Sequence, residues 1–125
     1  MSMLNHMICN LKVHLPLMIE NINYKKDVFT MTGSNWMFYA SSNWRLSTSK
    51  QILFACYDEY ANDKLKSLEG LEIVSVSYQG CLLKIDPVFY LSNNLIIEIF
   101  STCTFKPWTL KVDGLPSYSG TCLSS

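Results

Sequence analysis

The segment from residue 71 to residue 112 constrains the fold most, because it consists largely of short β-rich runs. Residues 71–78 and 81–86 are rich in aliphatic side chains and flank a glycine turn, which predicts a hairpin. Two further runs of this kind follow at residues 95–100 and 108–112. In the last run, Trp, Leu and Val alternate with Thr and Lys, as in a strand with one buried face. The segment therefore predicts antiparallel strands.

The first half of the chain shows the same succession of strands and turns. Apolar residues alternate with other residues over 11–17, and residues 28–31 and 36–40 form extended runs between turn-forming residues. Between the halves, residues 58–69 have apolar side chains at helical spacing, acidic residues at the start and a glycine after the end. The predicted fold class is α+β, predominantly antiparallel β, with one helix at about residues 58–69.

The two halves also resemble each other. Apolar and aromatic positions of residues 17–31 recur at a constant spacing in residues 71–85, so that Tyr24 corresponds to Tyr78. Farther on, with extra residues in the turns, Trp44-Arg45-Leu46 corresponds to Trp108-Thr109-Leu110. Any two sheets of half-buried strands share some apolar positions with a period of two residues. The resemblance is therefore explained either by an internal duplication or by two unrelated sheets with the same alternation. A duplication would join two similar sheet units, and its repeats would cover residues 11–50 and 70–112.

We expect residues 1–125 to form a single domain. A chain of 125 residues buries roughly two thirds of the surface that its unfolded form exposes, which allows one core. The hydrophobic fraction of 49% against 16% charged residues predicts a packed globule rather than a disordered chain. Residues 113–125, which are rich in Gly, Pro and Ser, are expected to form a loosely packed or disordered tail.

Charge and cysteine usage limit the partners and the compartment. Ten basic and ten acidic residues give a formal net charge of zero, which disfavours nucleic-acid binding and attachment to membranes. The N-terminal residues lack the pattern of a secretory signal, and no run approaches the roughly 20 apolar residues of a membrane span, so we expect a cytoplasmic protein. The five cysteines are widely spaced and form no C-x-x-C, which favours buried thiols over disulfides or a zinc site.

No catalytic or metal-binding motif is recognisable. His6, Cys9 and His14 come closest to a set of metal ligands, but their spacing fits no common site. Asp58 and Glu59 are adjacent on the predicted helix, so they point about 100° apart and cannot hold one substrate proton between them. We therefore expect no catalytic residue, no metal and no cofactor.

One segment has the composition of a partner-binding surface. Residues 58–72 are locally acidic, and tyrosines lie next to the acidic residues. A solvated helix face is the common meaning of such a pattern, and a face for a basic protein partner is the functional alternative. The candidate partner-binding residues are Tyr57, Asp58, Glu59, Tyr60, Asp63, Glu69 and Glu72. For Arg45, which points away from the core between two apolar residues, we expect a surface ion pair.

Several strand patterns, some of them containing tryptophan, resemble those of a known class of proteins. They are Trp36-Met37-Phe38, Trp44-Arg45-Leu46, Leu68-Glu69-Gly70, Val76, Leu83-Lys84-Ile85, the run from Leu95 to Ser101, and Pro107-Trp108-Thr109-Leu110. Together they resemble small uncharacterised bacterial immunity-type proteins, which are encoded beside polymorphic or contact-dependent toxins. The resemblance covers residues 17–112 and includes no catalytic motif. It implies inhibition by stoichiometric binding that occludes a toxin's active site or substrate channel.

Three functions follow as expectations. The first is a non-enzymatic, cytoplasmic immunity protein whose partner is a cognate toxin domain rather than nucleic acid or a membrane, with a homodimer also compatible. The second is a small-ligand-binding β-barrel or sandwich with an interior pocket lined by Trp36, Phe38 and Trp108. The third is an enzyme, which requires a cleft with convergent titratable groups.

Overall fold

The computed structural model describes residues 3–80, 85–100 and 107–120. This part of the chain is predominantly antiparallel β with short helices, which confirms the predicted fold class. The elements in chain order are α1 (Met3–Leu11), β1 (Leu17–Met18), β2 (Asn21–Lys25), β3 (Val28–Thr32), β4 (Trp36–Ala40), β5 (Asn43–Ser47), β6 (Ile52–Ala55), α2 (Ala61–Leu65), a 3₁₀ turn (Lys66–Leu68), β7 (Glu72–Gly80), β8 (Ile85–Leu91), β9 (Ile96–Phe100), β10 (Trp108–Val112) and β11 (Tyr118–Ser119).

The strands form two sheets that share one hydrophobic core. Sheet A has the order β1-β7-β8-β9-β5-β6, and sheet B has the order β11-β10-β4-β3-β2. Aromatic rings join the inner faces: the ring centroids of Phe38 and Phe89 are 4.8 Å apart, and those of Phe29 and Trp44 are 5.4 Å apart. Edge-to-face pairs such as Phe38 with Phe89 add roughly 0.5–1.5 kcal/mol beyond the burial of their area.

The helices add apolar side chains to this core. α1 packs against β7 and β11, and its Met7 and Leu11 are fully buried. α2 packs against β2 and buries Ala61 and Leu65. Because α1 contacts a strand of each sheet, it helps to hold the two sheets together.

Each sheet contains a row of four buried residues that are paired strand to strand. The row in sheet B consists of Ile22, Met31, Phe38 and Leu110, and the row in sheet A consists of Val76, Phe89, Ile97 and Leu46. The first three members of each row come from one half of the chain, and the fourth comes from the other half. The two rows therefore have the same arrangement: three consecutive strands from one half of the chain are followed by one strand from the other half.

The sheets are consequently not the two predicted repeats, residues 11–50 and 70–112. The first half supplies β2, β3 and β4 to sheet B but β5 to sheet A, and the second half supplies β7, β8 and β9 to sheet A but β10 to sheet B. Trp44 and Trp108 occupy the exchanged strands, and both indole N–H groups are buried without a hydrogen-bond partner among the described residues. This arrangement is what a duplication with strand exchange would produce, and the duplication itself stays a prediction.

The helical segment is shorter than the predicted range 58–69. Asp58 lies in a turn before α2, because its carboxylate accepts a hydrogen bond from the backbone N–H of Ala55 at 2.8 Å. Tyr60 then adopts φ 63° and ψ 24°, a left-handed conformation that cannot continue a right-handed helix. The α-helical part therefore begins only at Ala61.

The alternation over residues 11–17 was also misleading as a strand signal. Leu11 is the last residue of α1, and Val13 is 84% exposed, so only Leu17–Met18 pairs with a neighbouring strand. Leu11 is buried through the helical period, which the alternating pattern concealed.

Two predictions in the second half need correction as well. β8 runs over Ile85–Leu91 rather than over residues 81–86, of which 81–84 lie outside the described residues. The predicted tail is partly structured, since Tyr118 is buried and β11 pairs with β10. The Tyr118 hydroxyl accepts a hydrogen bond from Asn10 Nδ2 at 2.8 Å, which links β11 to α1. Residues 121–125 lie outside the described part.

Candidate partner-binding surface

Exposed aromatic and acidic side chains meet in the turn between β6 and α2. Tyr57 and Tyr60 are 81% and 67% exposed. Asp58 and Glu59 are exposed in the same turn, and Asp63 is exposed on α2. These predicted partner-binding residues form one exposed segment, residues 57–63, which we call the acidic turn.

Glu69 and Glu72 are built into the sheet framework instead. The Glu69 carboxylate accepts a hydrogen bond from the backbone N–H of Ile22 at 3.1 Å and lies 3.4 Å from the ammonium of Lys66. Glu72 is half-buried in β7, where its backbone N–H donates to Ser92 Oγ at 3.1 Å. The structure therefore gives Glu69 and the backbone of Glu72 roles in connecting strands.

Asp58 has a structural role in addition to its place in the acidic turn. Ala55, the last residue of β6, donates its backbone N–H to the Asp58 carboxylate at 2.8 Å and accepts the backbone N–H of Asp58 at 3.0 Å. β6 is an edge strand of sheet A, and unpaired backbone groups at an edge are a template for pairing with another chain. Asp58 thus caps this end of the edge.

A groove of about 410 Å³ lies on the outer face of sheet A, and we call it the Arg45 groove. Trp44 and Leu46 of β5 are buried in the core. Because side chains alternate along a strand, Arg45 and Ser47 point to the outer face. Lining residues that matter for the chemistry are Arg45, Ser47, Lys50, Tyr78, Tyr90 and Glu98. The loop of residues 48–51 between β5 and β6 forms one wall.

The base of the groove is a charged network. Arg45 donates from Nε to Glu98 Oε1 at 2.8 Å and from Nη2 to Glu98 Oε2 at 3.2 Å, and Ser47 Oγ donates to Oε1 at 2.9 Å. The hydrogen bonds from Arg45 are the largest cause of the lowered pKa of Glu98, and the bond from Ser47 adds to it. The same carboxylate raises the pKa of Arg45. Both groups are therefore charged near neutral pH, and the surface ion pair expected for Arg45 is confirmed.

A second groove, of about 300 Å³, connects the Arg45 groove to the acidic turn. Apolar atoms of Ile52, Phe100 and Tyr57 contribute to its lining, and we call it the apolar groove. It shares Arg45 and Ile52 with the Arg45 groove and Tyr57 with the acidic turn. The three features thus form one continuous surface over β5, β6 and β9.

The residues expected to line an interior ligand pocket are all buried. Trp36, Phe38 and Trp108 are each at most 5% exposed. The rings of Phe38 and Trp108 stack at 6.1 Å, and Trp36 Nε1 donates to the Met18 carbonyl at 2.9 Å. These side chains fill the core, and neither groove described above includes them.

The described residues contain no group of three or more His, Cys, Asp or Glu that could hold a metal ion. Cys9 and Cys56 are free thiols, with Cys9 exposed and Cys56 half-buried. The prediction of buried thiols is therefore wrong for Cys9, because it lies on the solvent side of α1. The other cysteines, Cys81, Cys103 and Cys122, lie outside the described residues.

Sequence reasoning missed the Arg45 groove. Alternation along β5 and β9 indicates that Arg45 and Glu98 both point outward, and their opposite charges were a usable signal. The sequence does not show that β5 and β9 are neighbours, since the paired residues are 53 positions apart.

None of the helices in the described ranges is long and apolar enough to cross a bilayer. Comparisons of the chain with protein-family models, with curated proteins and with solved structures find no match.

Proposed function

We propose that this protein is a non-enzymatic, cytoplasmic binding protein that neutralises a toxin domain by one-to-one binding, as the immunity-type proteins it resembles do. The observation that supports this proposal is the acidic turn, in which Tyr57 and Tyr60 are exposed beside three carboxylates. Tyrosine is enriched among the few residues that dominate binding energy at protein interfaces. Its burial against a partner removes a large area from water at the cost of only two side-chain torsions.

The carboxylates define the kind of partner. Asp58, Glu59 and Asp63 create a local negative potential on a chain with no net charge, so they favour a partner surface rich in Lys or Arg. Charge complementarity of this kind raises the rate of encounter and fixes orientation more than it raises affinity. In the proposed interface, the tyrosines supply most of the binding energy, and the carboxylates select a partner with a basic surface.

The acidic turn is also held rigidly. Two hydrogen bonds between Ala55 and Asp58, one accepted by the Asp58 carboxylate and one donated by the Asp58 backbone N–H, close its first part. Lys64 N–H donates to the Tyr60 carbonyl at 3.0 Å. Asn62 Oδ1 accepts the backbone N–H of Tyr24 at 2.7 Å, which anchors α2 to β2. A pre-formed surface loses less conformational entropy on binding than a mobile one, so its contacts translate more fully into affinity.

The test is co-expression of the full chain with the product of the neighbouring toxin-like gene. We expect protection of growth and a complex of one-to-one stoichiometry in gel filtration with light scattering. Absence of both co-purification and protection would overturn the proposal.

Variants of the acidic turn sharpen this test. Replacing Tyr57 and Tyr60 by Ala should weaken the complex by about tenfold or more, because each hot-spot truncation costs at least roughly 1 kcal/mol. Val13→Ala is the matched control, since Val13 is 84% exposed and lies outside the acidic turn and both grooves. Equal affinity of the tyrosine variant and the control would place the interface elsewhere.

A further inference from the structure

We infer that the Arg45 groove binds an acidic peptide segment of the protein partner, with one carboxylate of that segment held by Arg45 and Lys50. The inference rests on the proposed function and adds to it the chemistry of a second contact. The acidic turn selects a basic region of the partner, and the Arg45 groove selects an acidic segment beside it.

Arg45 is positioned as a binding group rather than left free in solvent. Its Nε and Nη2 atoms are engaged by Glu98, and the centre of its guanidinium lies 4.6 Å from the ring centroid of Phe100. Nη1 has no hydrogen-bond partner among the described residues. Because the planar group is fixed along one edge and by an aromatic ring, little further side-chain entropy is lost when a carboxylate binds at Nη1.

Lys50 provides the second positive charge. Thr48 Oγ1 accepts the backbone N–H groups of Lys50 and Gln51 at 3.1 Å each, and Thr48 N–H donates to the Gln51 carbonyl at 2.8 Å. These bonds fix the loop that forms the groove wall. The Lys50 side chain is exposed and forms no ion pair with a carboxylate in the described part of the chain.

The charge of the groove matches a carboxylate. Its charged lining residues are Arg45, Lys50 and Glu98, which leaves one positive charge in excess. A singly charged carboxylate neutralises that excess, whereas a phosphate group with about two negative charges would exceed it. Arg45 would then lie between Glu98 and the incoming carboxylate, which it contacts through separate nitrogens.

The walls of the groove suit a peptide. Tyr78 and Tyr90 are partly exposed in the lining and offer ring faces for apolar side chains and hydroxyl groups for backbone carbonyls. The volume of about 410 Å³ lies within the range of about 300–1,000 Å³ that holds compact ligands. It fits a short segment of chain and is too small for a folded element.

A titration of the isotope-labelled full chain with capped peptides tests the inference. The probes are acetyl-Ala-Asp-Tyr-Ala-amide and the same peptide with Asn in place of Asp, followed by NMR at the side-chain N–H of Arg45 and the backbone amide of Lys50. We expect saturable shifts with the Asp peptide and binding weaker by roughly fivefold or more with the Asn peptide.

Charge reversal gives the matched comparison. Lys50→Glu should abolish the preference for Asp over Asn, whereas Lys111→Glu, at an exposed position of β10 in the other sheet, should leave it unchanged. Equal shifts with both peptides, or no shifts, would overturn the inference. That result is distinguishable from failure of the proposed function, which is read separately as loss of toxin co-purification and protection.

Discussion

Tyr60 has a backbone conformation that bulky residues rarely adopt. Its φ of 63° and ψ of 24° place it in the left-handed region, where the close approach of Cβ to the following carbonyl oxygen costs about 1–2 kcal/mol. Burial does not offset this cost, since the side chain is 67% exposed. Backbone strain of this kind is concentrated at functional sites. The conformation of Tyr60 therefore adds support for a role of the acidic turn in binding.

Replacing Tyr60 by Asn should stabilise the fold while weakening the proposed complex with a toxin. Asn tolerates the left-handed region, so the free energy of unfolding should rise by up to about 1 kcal/mol. Urea denaturation measures this gain. Tyr57→Asn is the control, because Tyr57 is exposed but does not have a positive φ, and it should give no such gain. A Tyr60→Asn protein that is less stable would show that the ring supports the fold.

Glu98 gives the fold a dependence on pH. Its pKa in the folded protein is lowered, first by the hydrogen bonds from Arg45, so its ionised form favours folding. This contribution is complete above the pKa of the unfolded chain, about 4.3, and is lost as the pH falls through the lowered folded pKa.

Glu98→Gln should therefore reduce the free energy of unfolding by about 1 kcal/mol at pH 7. The difference from the unaltered protein should be smaller at pH 3 than at pH 7, because the contribution of Glu98 is progressively lost below the pKa of the unfolded chain. Urea titrations at the two pH values measure it, with Glu59→Gln as an exposed control. A difference of the same size at both pH values would mean that Glu98 acts through packing instead.

β6 is the element that contributes both to stability and to the proposed partner-binding surface. It forms an edge of sheet A, it supplies Ile52 to both grooves, and its last residue is capped by the acidic turn. Ile52 and Leu53 are exposed hydrophobic residues on this edge. An apolar edge without a cap is prone to pair with a second chain.

Asp58→Ala should uncap this edge. The lost hydrogen bond to Ala55 N–H should cost about 1 kcal/mol of stability, and the variant should self-associate more readily. Hydrogen exchange at the Ala55 amide and gel filtration over a range of concentrations report the two effects. Asp58→Asn keeps an acceptor oxygen and should stay close to the unaltered protein. Slow exchange at Ala55 in the Ala variant would contradict the proposed cap.

The elements differ in how well the sequence predicts them. β9 and β10 were predicted nearly to the residue, because β10 alternates apolar with polar residues and β9 is an almost unbroken apolar run that follows Asn93-Asn94. The helix was overextended, since the bonding of Asp58 back to Ala55 and the conformation of Tyr60 are not visible in a helical pattern. The acidic turn was predicted from local composition, whereas the Arg45 groove depends on the pairing of β5 with β9, which local pattern does not give.

In the molecule as a whole, each half of the chain completes the sheet of the other. β5 lies between β9 and β6 in sheet A, and β10 lies between β4 and β11 in sheet B. The chain also crosses from sheet A to sheet B between β1 and β2. At this crossing, Ile19 N–H donates to the Leu71 carbonyl beside sheet A, and Glu20 N–H donates to the Thr32 carbonyl of sheet B. Neither half can bury its apolar strand faces alone.

A break in the acidic turn should therefore leave the protein assembled. If a protease site is introduced between Glu59 and Tyr60 and cleaved, we expect the two fragments to co-elute in gel filtration and to separate only in denaturant. The uncleaved protein with the same site is the control. A fragment that elutes alone and retains a β-sheet circular-dichroism spectrum would show that the halves are independent units.

The matching rows of the two sheets have a consequence for stoichiometry. Arg45 pairs with Glu98 in sheet A, and at the corresponding place in sheet B Thr109 pairs with Tyr39. A dimer of identical half-chains would carry the same pair twice, once on each sheet. In a single continuous chain the two positions are free to differ, and of these two residue pairs Arg45 with Glu98 is the one that bears opposite charges. At these two corresponding places the described part of the chain thus offers one charged cleft, and under the proposed function a partner that binds in it would be bound mole for mole.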